Sequence, residues 1–134
     1  MQLALCVAGV FTISLGIAHF FLLRIVAFGT ALSDVPQPLS FPFVRYETTK
    51  RDMMGVIRVM NYAMSFALVS IGAADLILFE YQHQPPGRVA ATWIACWWVI
   101  RAAAQLHLGI RWFDCVVMAG FLLLGAVHGI AAWG

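Results

Sequence analysis

Trp93, Trp97, Arg101 and Gln105 recur every fourth residue through the apolar run that contains "CWWVIRAAAQLHLG". Residues four apart share one face of a helix, so two indoles, a guanidinium and an amide form a stripe, with Arg101 stacked on Trp97 and one turn from Gln105. A cation over an indole contributes about 0.5–2 kcal/mol. An arginine at the centre of a membrane-spanning helix costs about 2.5–3.5 kcal/mol on insertion scales. The stack therefore does not satisfy Arg101, and further acceptors are required: Asn61 and Ser65, or a bound anion.

A second pair of chemistry-bearing residues is Asp75 and His128. A buried carboxylate and an imidazole each favour the other's charged form, so the two are expected to bond between helices, with a proton-relay or ligand role as the alternative. His128 stands inside "GAVHG", where Gly125 and Gly129 have the GxxxG spacing that permits close helix contact. Cys6, Cys96 and Cys115 lie in apolar segments with no CxxC, and are expected as buried small hydrophobes. No nucleophile triad, phosphate loop or zinc-type spacing occurs, which leaves too little polar machinery for an obvious enzyme.

The elements that position these residues follow from composition. The chain has 134 residues, 63% of them hydrophobic and only 10% charged. A soluble domain of this length needs more polar surface. The fold class is therefore all-α, a polytopic four-transmembrane-helix bundle forming one domain over 1–134, with the lipid bilayer as its solvent. The helices are placed at about 3–28, 55–79, 89–108 and 112–133, each long enough at ~1.5 Å per residue for a ~30 Å hydrocarbon core. The opening "MQLALCVAGVFTISLGIAHFF" has no basic leader and a long apolar run, and reads as a retained first helix. Pro36, Pro38 and Pro42 keep the linker between the first two helices irregular. Irregular backbone is not tolerated in lipid, so the linker, with Val35, Leu39, Phe41, Phe43, Val44 and Tyr46, is expected on the membrane interface, as a plain loop, a lid or a partner-docking surface. Pro85, Pro86 and Gly87 end the second helix.

Charge orients the bundle. Arg24, Arg45, Lys50, Arg51, Arg58 and Arg111 fall at one end, Arg88 alone at the other, and Arg101 within a helix. The positive-inside rule makes the six-residue end cytoplasmic and sends both termini outward. A net charge of +2 without a basic stripe gives no reason to expect nucleic acid.

Helical rise then gives depth. From the outer end His19 lies about 24 Å in, Arg101 about 18 Å and His107 about 27 Å. The cytoplasmic half so collects His19, Arg24, Arg58, Asn61, Arg101, Gln105 and His107. Three readings compete. Arg101 is structural, bonded to Gln105, Asn61 and backbone carbonyls; or Arg58 and Arg101 hold an anionic or redox ligand such as a quinone headgroup, lipid phosphate or haem propionate; or His19 or His107 holds haem iron or a chlorophyll magnesium. His107 lies about 240° around its helix from Arg101, so the two do not point to one centre. The candidate cofactor-binding set is His19, Arg58, Asn61, Arg101, Gln105 and His107, with haem, quinone and chlorophyll-type pigment as the cofactors considered.

With "GIAHF" in the first helix, "RAAAQ" in the third and a long linker between the first two, the layout resembles the small four-helix DoxX-like and uncharacterised bacterial membrane proteins. The resemblance implies a four-helix bundle in a bacterial inner membrane. Some members of that set associate with quinone-linked redox systems, and no catalytic residue carries over. Trp93, Trp97 and Trp98 make the third helix bulky on more than one side, as suits a helix facing a partner protein or pigment. The expected function is a small accessory or scaffold subunit of a larger electron-transfer or photosynthetic membrane complex, with other membrane subunits as partners. The rivals are a haem- or quinone-binding redox protein and a small transporter, although a transporter needs polar groups along both halves of its path.

Overall fold

The computed structural model describes residues 2–25, 39–41, 44–48, 50–81, 83–107 and 111–134, the side chains of Ile25, residues 39–50, Leu78, Phe79 and His107 excepted. Four helices dominate: α1 (Gln2–Ile25), α2 (Lys50–Tyr81), α3 (Pro85–Ala104) and α4 (Trp112–Trp133). Three are long and apolar enough to cross a membrane, over Gln2–Arg24, Arg51–Ile77 and Trp112–Trp133. Four spanning helices are expected from sequence. α3 has the length but not the apolar content, because Arg88, Thr92, Arg101 and three tryptophans dilute it.

Local chemistry explains where the helix limits differ from expectation. α2 begins at Lys50 rather than near Gly55, since nothing in "KRDMM" breaks a helix and Asp52 complements the positive end of the helix dipole. Pro85 and Pro86 start α3 instead of forming a linker: Gln84 is extended, as a residue before proline should be, and the prolines take the first helical positions, where a missing N–H costs nothing. α3 tightens into a single 3-10 turn over Gln105–His107, and Leu108, the expected end of this helix, lies outside the described residues. At the start of α4 the Asp114 carboxylate accepts the Arg111 backbone N–H at 3.2 Å and its Nε–H at 3.1 Å. Within the linker two short strands are described, while Pro36, Pro38 and Pro42 lie outside the described residues. β1 (Leu39–Phe41) and β2 (Val44–Thr48) pair antiparallel, Leu39 opposite Thr48, with a register shift after Ser40. Val35 and Phe43 lie outside the described residues, and Leu39, Phe41, Val44 and Tyr46 lie outside the described side chains.

The helices fall into two compact units. One comprises Met1–Thr12 and Ile71–Gly134. In it Ala91, Ile94, Trp98 and Ala102 of α3 and Leu124, Gly125, His128, Ala131 and Ala132 of α4 are buried, as are Leu5, Ala8 and Thr12 of α1. The other comprises Ile13–Ser70, where Gly16, Asn61, Ser65 and Leu68 are buried. In both units many buried positions are small or polar, while Phe11, Ile17, Phe66, Leu123 and Ile130 point outward. That is the pattern of helices whose surroundings are as apolar as their side chains, so that close packing and hydrogen bonds, not hydrophobic burial, decide what faces inward. The same physics corrects the expectation for the thiols: Cys6, Cys96 and Cys115 are exposed and unbridged.

Candidate functional site

The best-defined polar cluster is in the first unit. Asp75, His128 and Thr12 are each 0% exposed. His128 is brought to Asp75 by α4, whose Gly125 packs against α3: a Cβ there would lie 3.5 Å from the Ala95 carbonyl oxygen. Asp75 is brought in by α2, which the first half of α1 approaches closely. A Cβ on Gly9 would stand 2.8 Å from the Gly72 carbonyl oxygen and 3.0 Å from Asp75 Cβ, so only glycine fits. Thr12 follows Gly9 by three residues on the same helix face.

The geometry of the pair determines its proton content. His128 Nδ1 lies 2.7 Å from the Leu124 carbonyl oxygen, and Nε2 lies 2.8 Å from Asp75 Oδ1. A carbonyl only accepts, so Nδ1 carries a hydrogen. Between Nε2 and Oδ1 one further hydrogen is required, because two lone pairs at that distance repel. The pair is therefore either imidazolium with carboxylate or neutral imidazole with carboxylic acid. Both forms are net neutral, which is the inexpensive way to place two ionisable groups in a low-dielectric interior. With both ring nitrogens engaged, His128 offers no lone pair to a metal. Asp75 Oδ2, Thr12 Oγ1 and, elsewhere in this unit, Trp98 Nε1 are buried with no hydrogen-bond partner among the described residues. The pair thus shares one hydrogen, and the second carboxylate oxygen retains unused acceptor capacity.

Arg101 is positioned differently from the sequence expectation. It is half-buried, and its guanidinium carbon lies 5.4 Å from the centroid of Phe121 on α4, rather than stacking on Trp97. Trp97 instead meets the edge of Trp98 at 4.8 Å, and Trp98 lies against Phe121 at 5.3 Å. The i, i+4 stripe is real as helix geometry, but the neighbouring helix supplies the ring. Gln105 is buried at the end of α3. His107 closes the 3-10 turn, and its side chain lies outside the described residues.

The remaining candidates belong to the second unit. Asn61 Nδ2 donates to the Phe20 carbonyl oxygen at 3.5 Å, and the Ser65 hydroxyl donates to the Asn61 carbonyl oxygen at 2.8 Å. Both side chains thus bond backbone within their own unit. Arg58 is exposed and His19 half-buried. The six candidates are divided, with Arg101, Gln105 and His107 in one unit and His19, Arg58 and Asn61 in the other.

Sequence reading missed two features. Arg88 Nε–H donates to the Ala132 carbonyl oxygen at 2.8 Å, and its guanidinium lies 5.8 Å from the Trp133 ring centroid. A cation thereby meets the negative end of the α4 dipole, a pairing across 44 residues that no local signal announces. The second is the Gly9 contact, since isolated glycines are common in apolar helices; within the GxxxG, by contrast, Gly129 meets nothing. Set against known proteins, the chain matches no protein-family model, no curated protein and no solved structure.

Proposed function

We propose that the protein is a small multi-pass subunit of a bacterial inner-membrane complex, a non-catalytic accessory or scaffold component of an electron-transfer or photosynthetic assembly. The observation that carries this reading is the surface of α3. This helix is less apolar than the other three, and it turns Trp93 and Ile100, seven residues apart on one face, outward, exposed at 65% and 67%. A partner helix or bound pigment would pack against that indole and isoleucine. In this reading α3 crosses the membrane with the other three helices, and the six-to-one distribution of Lys and Arg outside it leaves both termini on the periplasmic side. Affinity purification from native membranes in mild detergent tests it. A stoichiometric membrane partner is expected, and Trp93→Ala with Ile100→Ala should release it without lowering thermal stability. Recovery of the chain alone from cross-linked native membranes would overturn the proposal.

A second reading, a quinone- or haem-linked redox protein, is favoured by one specific observation, the single hydrogen shared by Asp75 and His128. Quinone reduction takes up protons, and a buried net-neutral pair is a suitable donor. For haem the pair is unsuitable, because His128 has both nitrogens engaged. The absorption spectrum and extracted lipids of the native protein separate the two readings: a Soret band indicates haem, and a stoichiometric quinone lost in Asp75→Leu indicates the quinone site.

A further inference from the structure

In the second unit, α1 and α2 run antiparallel, and an apolar groove of about 390 Å³ lies between them. Its floor is Gly16. A Cβ there would stand 2.9 Å from Val69 Cγ2 and 3.0 Å from the Ser65 carbonyl oxygen, so α2 packs directly on the glycine. Its walls are Ile17, Phe20 and Phe21 on α1 and Tyr62, Phe66 and Val69 on α2. The Phe20 and Tyr62 rings stack at 5.1 Å and line one end. The Ser65 hydroxyl is turned to the Asn61 carbonyl. The groove therefore suits a flexible hydrocarbon chain.

Its charged end identifies the rest of the ligand. Ile17, Phe20 and Phe21 form a helical stripe whose next member is Arg24, four residues after Phe20 and three after Phe21. On α2, Arg58 precedes Tyr62 by four residues and continues that stripe. Gly16 meets Ser65, Leu68 and Val69, and Phe20 meets Asn61 and Tyr62, so one further turn brings Arg24 and Arg58 to the same end of the groove. Both are exposed, and neither forms an ion pair with a carboxylate among the described residues. Arg24 ends the first apolar span, at headgroup depth, and Arg58, the eighth residue of the next, can reach the same level through its long side chain. Two guanidiniums at one level repel each other unless an anion lies between them, and each can grip a phosphate with two parallel N–H donors.

The geometry points to a bound anionic phospholipid, its phosphate between Arg24 and Arg58 and one acyl chain in the Ile17/Phe20/Phe66 groove. Basic positions between membrane helices at the cytoplasmic face favour such headgroups by about fivefold in affinity for each arginine. This inference is independent of the accessory-subunit reading.

The test is native mass spectrometry of the delipidated full-length protein, titrated with phosphatidylglycerol or phosphatidylcholine. The expected result is one tightly held phosphatidylglycerol, preferred over phosphatidylcholine. Arg24→Gln and Arg58→Gln should each weaken it about fivefold, and the lipid-free melting temperature should not change. Ile17→Trp, which fills the groove, should weaken both lipids and leave their ratio unchanged. Equal binding of the two lipids by the native protein, or an unchanged ratio in the double glutamine variant, would overturn the headgroup assignment. Undiminished binding by Ile17→Trp would overturn the tail assignment. Full displacement by millimolar inorganic phosphate, or equal binding of oleate, would replace the phospholipid with a simple anion or a fatty acid.

Discussion

Asp75 and His128, 53 residues apart in sequence, share a single hydrogen at 2.8 Å, with the imidazole's other nitrogen held by Leu124 one turn away. Because the total charge of the pair is zero wherever that hydrogen sits, the interior tolerates both residues. Removal of either partner leaves the other unsatisfied.

The pair predicts an unequal response to two substitutions of Asp75. Asp75→Asn keeps a donor toward a neutral imidazole and should unfold within about 1 kcal/mol of the native protein. Asp75→Leu leaves His128 Nε2 buried without a partner and should cost about 1–3 kcal/mol. His128→Leu should cost a similar amount, and the double leucine variant less than the sum of the two. Unfolding in bicelles measures this. Additive losses would mean that the bond contributes nothing.

Close helix approach predicts a contrast among glycines. Gly9→Ala and Gly16→Ala force a Cβ to within 2.8 Å and 2.9 Å of neighbouring atoms, whereas Gly120 and Gly129 have nothing within 4 Å. The first two should destabilise by about 1–3 kcal/mol. The second two should be neutral, or stabilising by up to about 1 kcal/mol through helix propensity. Comparable losses at all four positions would contradict the packing described.

Arg88 predicts local fraying. Arg88→Leu removes the donor to Ala132 and the cation over Trp133. Because Arg88 is exposed, the global cost should be small, about 0.5–1 kcal/mol. Hydrogen exchange at the end of α4 should nonetheless accelerate several-fold, and Arg88→Lys should restore protection only in part, since a lysine lacks the planar fork. Unchanged exchange over residues 130–134 would show that the terminal turn holds itself.

Arg101 separates a structural role from a ligand role. Held by the Phe121 ring, it should respond to Arg101→Lys and to Phe121→Leu alike, each losing about 0.5–1 kcal/mol, with no change in co-purifying lipids, quinones or pigments by mass spectrometry. Loss of one specific small molecule at unchanged stability would assign Arg101 to a binding site instead.

Orientation is tested by fusions. The six-to-one Lys and Arg distribution predicts an active alkaline phosphatase and a dark fluorescent protein when each is fused to the C-terminus. The opposite result would place the Arg24 and Arg58 end outside.

Hydropathy alone determined the helical class, the existence of four helices and the limits of α4, because apolar runs of this length have few other uses. It also brought Asp75 and His128 under suspicion, since ionisable residues in such runs need partners. The i, i+4 rule correctly placed Arg101 and Trp97 on one face of α3, but whether a ring on the same helix or on another receives the guanidinium is a matter of interhelical packing, and Phe121 takes that place. Rotation about each helix axis was likewise illegible. Where the surroundings are as apolar as the side chains, periodicity no longer marks the buried face, so the thiols turned outward while Thr12 and Asn61 turned inward. Only tertiary structure decided which glycines bring backbones together, that Arg88 meets the end of α4, and that the six polar candidates fall into two units. These depend on distances between segments far apart in the chain, and composition and spacing carry no information about such distances.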